Sequence, residues 1–155
     1  MTPRVSYRWI GPFQMKQLLD DVVSQSIPRP PEVGSAYVVT RKKWSAHPTK
    51  DSEPLYVGGN SGKSNRFRTR LGDLVADTFG FFGGGTGHHS GGQHLYNWCQ
   101  RNHFNPLHLY VGWVESCTCH RCLEIELFDS FSPSLNRIRP TRCAAHPQEI
   151  KAELG

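Results

Sequence analysis

Two short runs of β-branched and aromatic residues constrain this chain most: Ala36-Tyr37-Val38-Val39-Thr40 and Leu55-Tyr56-Val57. Side chains of this kind suit a pleated, packed surface. The polar stretch 41–53 separates them, and Gly58-Gly59 ends the second. Two neighbouring strands joined by one loop indicate an antiparallel pair. Residues 107–114 read as a third strand. Around these runs the period changes to that of helices. Phe13, Met15, Leu18, Leu19, Val22 and Val23 predict a helix over 13–25. Ile27-Pro28-Arg29-Pro30-Pro31 then imposes an extended linker. Phe67, Leu71, Leu74, Val75 and Phe79 form the apolar stripe of a helix over 64–79 with a basic start. Ser90 is placed to cap a helix to about residue 102. Ser116 or Thr118 opens a last helix to about residue 131, which Pro133 stops. The expected fold is α+β, a small, mainly antiparallel three-stranded sheet flanked by helices. It divides into an N-terminal helical arm and linker (1–33), a core (34–137) holding a Gly/His-rich insertion (80–106), and a tail (138–155).

A chain of 155 residues buries about 68–70% of its unfolded surface and can rest on a hydrophobic core. Its five cysteines all lie at or after Cys99, unlike a secreted disulfide framework. No stretch approaches the roughly 20 apolar residues of a membrane span. The opening residues carry no apolar run of signal-peptide type, so an intracellular, cytoplasmic location is expected. Eighteen Lys and Arg stand against thirteen Asp and Glu. The imbalance is local: between Pro54 and Trp113 the acids are Asp73 and Asp77 alone, against Lys63, Arg66, Arg68, Arg70, Arg101 and five histidines. Such a basic face attracts a polyanion, nucleic acid first, with Lys63, Arg66 and Arg68 as candidate phosphate contacts.

Glu124 is the most informative single residue. On the last helix Glu124, Leu127, Phe128 and Phe131 share one face, which places a carboxylate among apolar side chains. Desolvating that charge is costly without a partner. An arginine or a metal supplies one, and Mg²⁺ typically takes only one or two protein carboxylates. Glu126 and Asp129 fall on the more polar side as ordinary surface acids. The stretch Gly58-Gly59-Asn60-Ser61-Gly62-Lys63-Ser64 is not a P-loop, since the motif requires glycine where Val57 stands.

In order along the chain, Ala36-Tyr37-Val38, Leu55-Tyr56-Val57-Gly58, Thr69-Arg70-Leu71, Glu124-x-x-Leu127, Pro133 and Asn136 resemble the GIY-YIG nuclease domain over residues 34–137. The resemblance implies a metal-dependent endonuclease that hydrolyses phosphodiester bonds in DNA with Mg²⁺ (or Mn²⁺), restriction-type or DNA-processing, with a homodimer as one way to cut both strands. It implies that Tyr37 and Tyr56 are the paired phenols, one of which takes a proton from the attacking water. Arg70 is then the guanidinium on the phosphate, Glu124 the metal ligand and Asn136 the residue that fixes the chain end. Two departures stand out. The first motif reads Ser35-Ala36-Tyr37, with Gly34 one residue early, and Leu74 stands where many members carry His or Tyr. His88 or His89, between glycines in the 79–92 loop, would supply the missing proton-handling group.

The cysteines form a second constellation. Cys119-x-x-Cys122 with Cys143-x-x-His146 matches a tetrahedral structural Zn²⁺ site that staples the tail to the last helix. Cys117 competes for a place in it, and His120 is a more remote candidate. From another functional class comes a non-catalytic, zinc-stapled nucleic-acid-binding protein on the same fold.

Overall fold

Every residue of the run Ala36–Thr40 is buried, which explains its lack of polar alternation: a strand covered on both faces reads as continuous apolar sequence. The computed structural model describes residues 7–24, 27, 28, 30, 31, 34–59, 67–80, 90–115, 117, 119–136, 139 and 140. The elements are β1 (Trp9–Gln14), α1 (Met15–Ser24), β2 (Ala36–Thr40), β3 (Pro54–Gly59), α2 (Phe67–Thr78), α3 (Ser90–Arg101), β4 (Tyr110–Val114) and α4 (His120–Phe131). Short 3₁₀ turns occupy Lys50–Ser52 and Pro106–His108. Among the described residues, no helix is long and apolar enough to cross a membrane.

The class is α+β, but among the described residues the sheet has four strands rather than three, in the order β1-β4-β2-β3, and every neighbouring pair is antiparallel. The extra strand lies ahead of the predicted helix and takes its first two residues, Phe13 and Gln14. Phe13 lies in β1 opposite Val111, and helix begins only at Met15. The Gly11-Pro12 step interrupts the strand itself. Gly11 sits at φ +113°, and Pro12 has no N–H to give a ladder. The β1–β4 register shifts between Ile10 and Phe13, which carries the ladder past both residues. α1 then starts with Gln17 Oε1 accepting from the Gln14 N–H at 2.8 Å, as in one half of a capping box.

The β2–β3 hairpin forms as expected, with Val38 opposite Val57 and Tyr37 opposite Gly58. At its base the Arg41 N–H donates to the Glu53 carbonyl at 3.1 Å. The third expected strand is shorter than its apolar run, because Pro106–His108 forms a turn before β4 begins at Tyr110.

The sheet separates two cores. Tyr37, Val39, Val111 and Trp113 face α2 and α3, meeting Leu71, Leu74, Leu95 and Cys99. Ala36, Val38, Val57 and Val114 face α4 and meet Leu123 and Leu127. Tyr37 and Trp113 are directly opposite in the β2–β4 ladder, and both rings are essentially fully buried. Truncating Trp113 to alanine is therefore expected to cost about 3–5 kcal/mol of stability. Urea unfolding monitored by far-ultraviolet circular dichroism reads this; a loss below about 1 kcal/mol would show that the first core does not depend on that ring.

Candidate active site

β3 is the outer strand of the sheet, and the candidate residues gather at its end. Tyr37 and Tyr56 project to the α2/α3 side, with ring centroids 6.2 Å apart and planes tilted by 32°. Each phenol passes over a glycine. A Cβ at Gly58 would overlap the Tyr37 hydroxyl, and one at Gly91, in the first turn of α3, would overlap the Tyr56 ring. The glycine after Tyr56-Val57 is thus required by close approach. Glu124 arrives from the opposite face of the sheet. α4 packs on β2 and β3, and a Cβ at Gly59 would stand 3.2 Å from Glu124 Oε2. At the end of an edge strand the two faces meet, and the electrostatics record it: the charges of Glu124 and Arg70 each act on both phenols.

Burial dominates that electrostatics. It raises the Glu124 carboxyl from the ordinary 4.5 to about 7, against the opposing pull of Arg121 and Arg70. Among the described residues no hydrogen bond or salt bridge reaches this carboxylate. Burial also holds Tyr37 well above the usual phenol value, assisted by Tyr56 and Glu124 and opposed by Arg70. Tyr56 rises to about 12 for the same reasons, burial first and Glu124 second. Arg70 comes from the first turn and a half of α2, and its Nε is buried with no hydrogen-bond partner among the described residues. The cluster therefore combines a desolvated acid, two protonated phenols and a guanidinium with donor capacity to spare. Arg121 was not distinguished by sequence reasoning, although its place three residues before Glu124 puts it on an adjoining helical position.

Asn136 has a well-defined position. Its Oδ1 accepts from the Val57 N–H at 2.9 Å, and its Nδ2 donates to the Val57 carbonyl at 2.8 Å. The preceding Leu135 N–H donates to the Leu55 carbonyl at 2.9 Å. Residues 135–136 thus close the outer edge of β3 on both sides of Tyr56.

The chain matches no family model, no curated protein and no solved structure. The site consequently rests on its own geometry.

Of the residues predicted from sequence, Tyr37, Tyr56, Arg70 and Glu124 are brought together, and Asn136 holds the strand between them. Leu74 is completely buried in the first core. Lys63, Arg66, His88, His89, Cys143 and His146 lie outside the described residues, as do Ser116 and Thr118; Arg68 belongs to α2. Cys119 flanks the start of α4 at its N-cap, and Cys122 is buried in the first turn. Cys117 is half-buried, its Sγ 4.0 Å from the Gly34 carbonyl oxygen. His120, the first residue of α4, packs over Gly34, with Nε2 buried and unpartnered among the described residues. Asp129 is a surface acid in a two-bond pair with Arg139, at 2.9 and 2.7 Å. Glu126 is not: it is half-buried, and burial, then the Asp129 charge, raises it to about 7. Its neighbours Ile125 and Leu127 are both buried, so the helix is covered over a wider arc than one apolar stripe predicts.

The raised acid has a thermodynamic consequence. A carboxyl whose folded pKa exceeds its unfolded value favours the folded state when protonated. The Glu124 contribution is full below pH 4.5 and disappears as pH rises through about 7. Metal-free protein is therefore expected to lose about 1–3 kcal/mol between pH 5 and pH 8 from this group. Glu126 acts in the same direction, so the comparison with Glu124→Gln isolates Glu124. Thermal unfolding at several pH values should show a shallower decline in that variant; parallel curves for the two proteins would refute the assignment.

Proposed function

We propose that this chain is a metal-dependent DNA endonuclease of GIY-YIG type. The observation that carries the proposal is the convergence of Tyr37, Tyr56, Arg70 and Glu124 at one strand end, with the carboxylate desolvated and lacking a bonded partner among the described residues. The order of elements supports it, since the two tyrosine strands, the arginine helix and the glutamate helix follow one another as the resemblance requires. A DNA substrate accords with the basic surplus between Pro54 and Trp113.

The donor set suits Mg²⁺ or Mn²⁺. Among the described residues no three His, Cys, Asp or Glu side chains gather as a metal cage, so a cation here would rest on Glu124, with water and phosphate oxygens completing its shell. When bound, it supplies positive charge against the phosphate and the leaving 3′ oxygen. Arg70 turns its unspent guanidinium donors to the non-bridging oxygens, where a planar fork matches the phosphate. Neutralising Glu124 removes one of the influences that raise both phenols, leaving burial opposed by Arg70. Tyr56 is less deeply buried than Tyr37, which favours it as the phenol that first gives up its own proton to solvent and then, as the phenolate, takes the proton of the attacking water. Tyr37 stays a hydrogen-bond donor that orients the attacking water or the phosphate. Asn136 acts through β3 by fixing the backbone next to Tyr56, and is a positioning residue.

Incubation of supercoiled plasmid with Mg²⁺ tests this. Wild type is expected to nick or linearise it, and Glu124→Ala and Arg70→Ala to fall by at least about a hundredfold, the scale of losing one charge-stabilising group. Undiminished cutting by Glu124→Ala would sink the proposal; DNA binding without cutting in all three proteins would instead select the non-catalytic alternative.

We also propose that Cys119 and Cys122, on either side of the start of α4, supply half of a structural zinc site completed by Cys143 and His146, with Cys117 the competing thiolate. Elemental analysis of purified protein is expected to find about one zinc per chain, the stoichiometry of a four-ligand site, and Cys122→Ser to lower it. Wild-type content near zero removes the site.

A further inference from the structure

A second feature adjoins the phenols. A groove is lined by His94, Asn97 and Arg101 from α3 and by Ser134 and Leu135 after α4. The three helical residues fall at i, i+3 and i+7, one stripe of the helix. The opposite stripe, with Leu95 and Cys99, is buried in the first core. Asn97, Arg101 and Ser134 are exposed. The lining thus offers an imidazole, an amide, a guanidinium and a hydroxyl, with no carboxylate among its described residues. That chemistry recognises an anion with several oxygens.

Both walls lead to Tyr56. On α3, Gly91 lies against the Tyr56 ring, and His94 follows about 4.5 Å further along the helix axis. On the other wall, Leu135 bonds the carbonyl of Leu55, and Asn136 bonds Val57. From His94 to Arg101 the helix rises about 10 Å, long enough to pass more than one backbone phosphate.

We propose that this groove is the track for the DNA strand beside the cleaved phosphate, with His94, Asn97 and Ser134 on its near backbone oxygens and Arg101 on a phosphate further along the strand. The inference rests on the nuclease reading of the neighbouring cluster, and it names a binding surface that the tyrosine, arginine and glutamate motifs do not include. Arg101 also sits in the last turn of α3, where a cation complements the helix dipole. That role affects stability and leaves DNA affinity unchanged.

The test is fluorescence anisotropy of a short labelled DNA duplex, over a series of salt concentrations, in the Glu124→Gln background, which separates binding from cutting. Arg101→Gln is expected to weaken binding by about tenfold, the scale of one hydrogen-bonded charge contact. It should also flatten the slope of log affinity against log salt by about 0.9, one phosphate contact. His94→Ala should weaken binding without unfolding the protein, as circular dichroism will report. Arg8→Gln, beside the opposite edge strand, serves as the control and should bind like its parent. Arg101→Gln with unchanged affinity and slope overturns the inference, as does a parent protein that binds no DNA. The two readings fail separately. A protein that cuts DNA but is indifferent to Arg101 loses the groove alone; one that binds through Arg101 yet cuts no plasmid with Mg²⁺ present loses the nuclease reading alone.

Discussion

Burial of the Glu124 carboxyl is the constraint on which the rest of the site depends. α4 is held to the sheet by Leu123 and Leu127 against Ala36, Val38 and Val57, and that packing removes water from the residue between them. Arg70 and Arg121 return only part of the lost solvation, so the acid rests near 7 rather than 4.5. A carboxyl in this state binds a proton or a cation more readily than one in water does, because either neutralises a charge that the surroundings solvate poorly. Its proximity to two phenols transmits the choice. Both are raised first by burial and further by the Glu124 anion, and lowered by Arg70, so the charge state of the carboxyl adjusts the acidity of its neighbours.

The convergence depends on the edge position of β3. In the interior of a sheet, residues on opposite faces are kept apart by the sheet itself. Tyr56 and Glu124 belong to opposite faces, and they meet because, among the described residues, no further strand lies beyond β3 in the sheet and because the chain there is glycine. Gly58 and Gly59 leave the strand end without side chains, so the Tyr37 hydroxyl crosses one and the Glu124 carboxylate approaches the other. An alanine at Gly58 would displace the Tyr37 hydroxyl, which places the second glycine-bearing strand among the determinants of the site.

The central strands and Glu124 are legible in the sequence because each carries a strong local signal, whereas Tyr37, Tyr56 and Arg70 stand out only as an ordered set that resembles a family. β2 is an unbroken apolar run, and Glu124 is a charged residue in an apolar helical stripe. β1 is not legible: helical spacing runs back to Phe13, across the boundary between Gln14 and Met15, and only pairing with β4 shows where strand ends. The cap of α4 is hidden for a related reason. Ser116 and Thr118 are the residue types that favour helix starts, yet the helix begins after Cys119 with no side-chain cap bond. Glu126 was concealed by the breadth of the buried face, and the His94–Asn97–Arg101 stripe by its ordinariness, since three polar residues on a helix acquire meaning only beside a groove. The role of Asn136 was legible only as an end point; its two bonds to Val57 depend on a partner 79 positions away.

Closure of the β3 edge joins these features. An exposed edge presents unpaired N–H and carbonyl groups and invites another strand. Here Leu135 and Asn136 occupy three of them, at Leu55 and Val57. The same bonds set the height of the 134–135 wall above the strand, and Tyr56 lies between the two bonded residues. The edge closure, the seating of Tyr56 and one wall of the groove are therefore a single mechanical unit. A change that releases Asn136 frees a strand edge, loosens a phenol and opens the groove together, whereas a change at Arg101 touches the groove alone. The site and its approach are coupled through the backbone of β3, while Arg70 and Glu124 reach the same point from helices anchored in two separate cores.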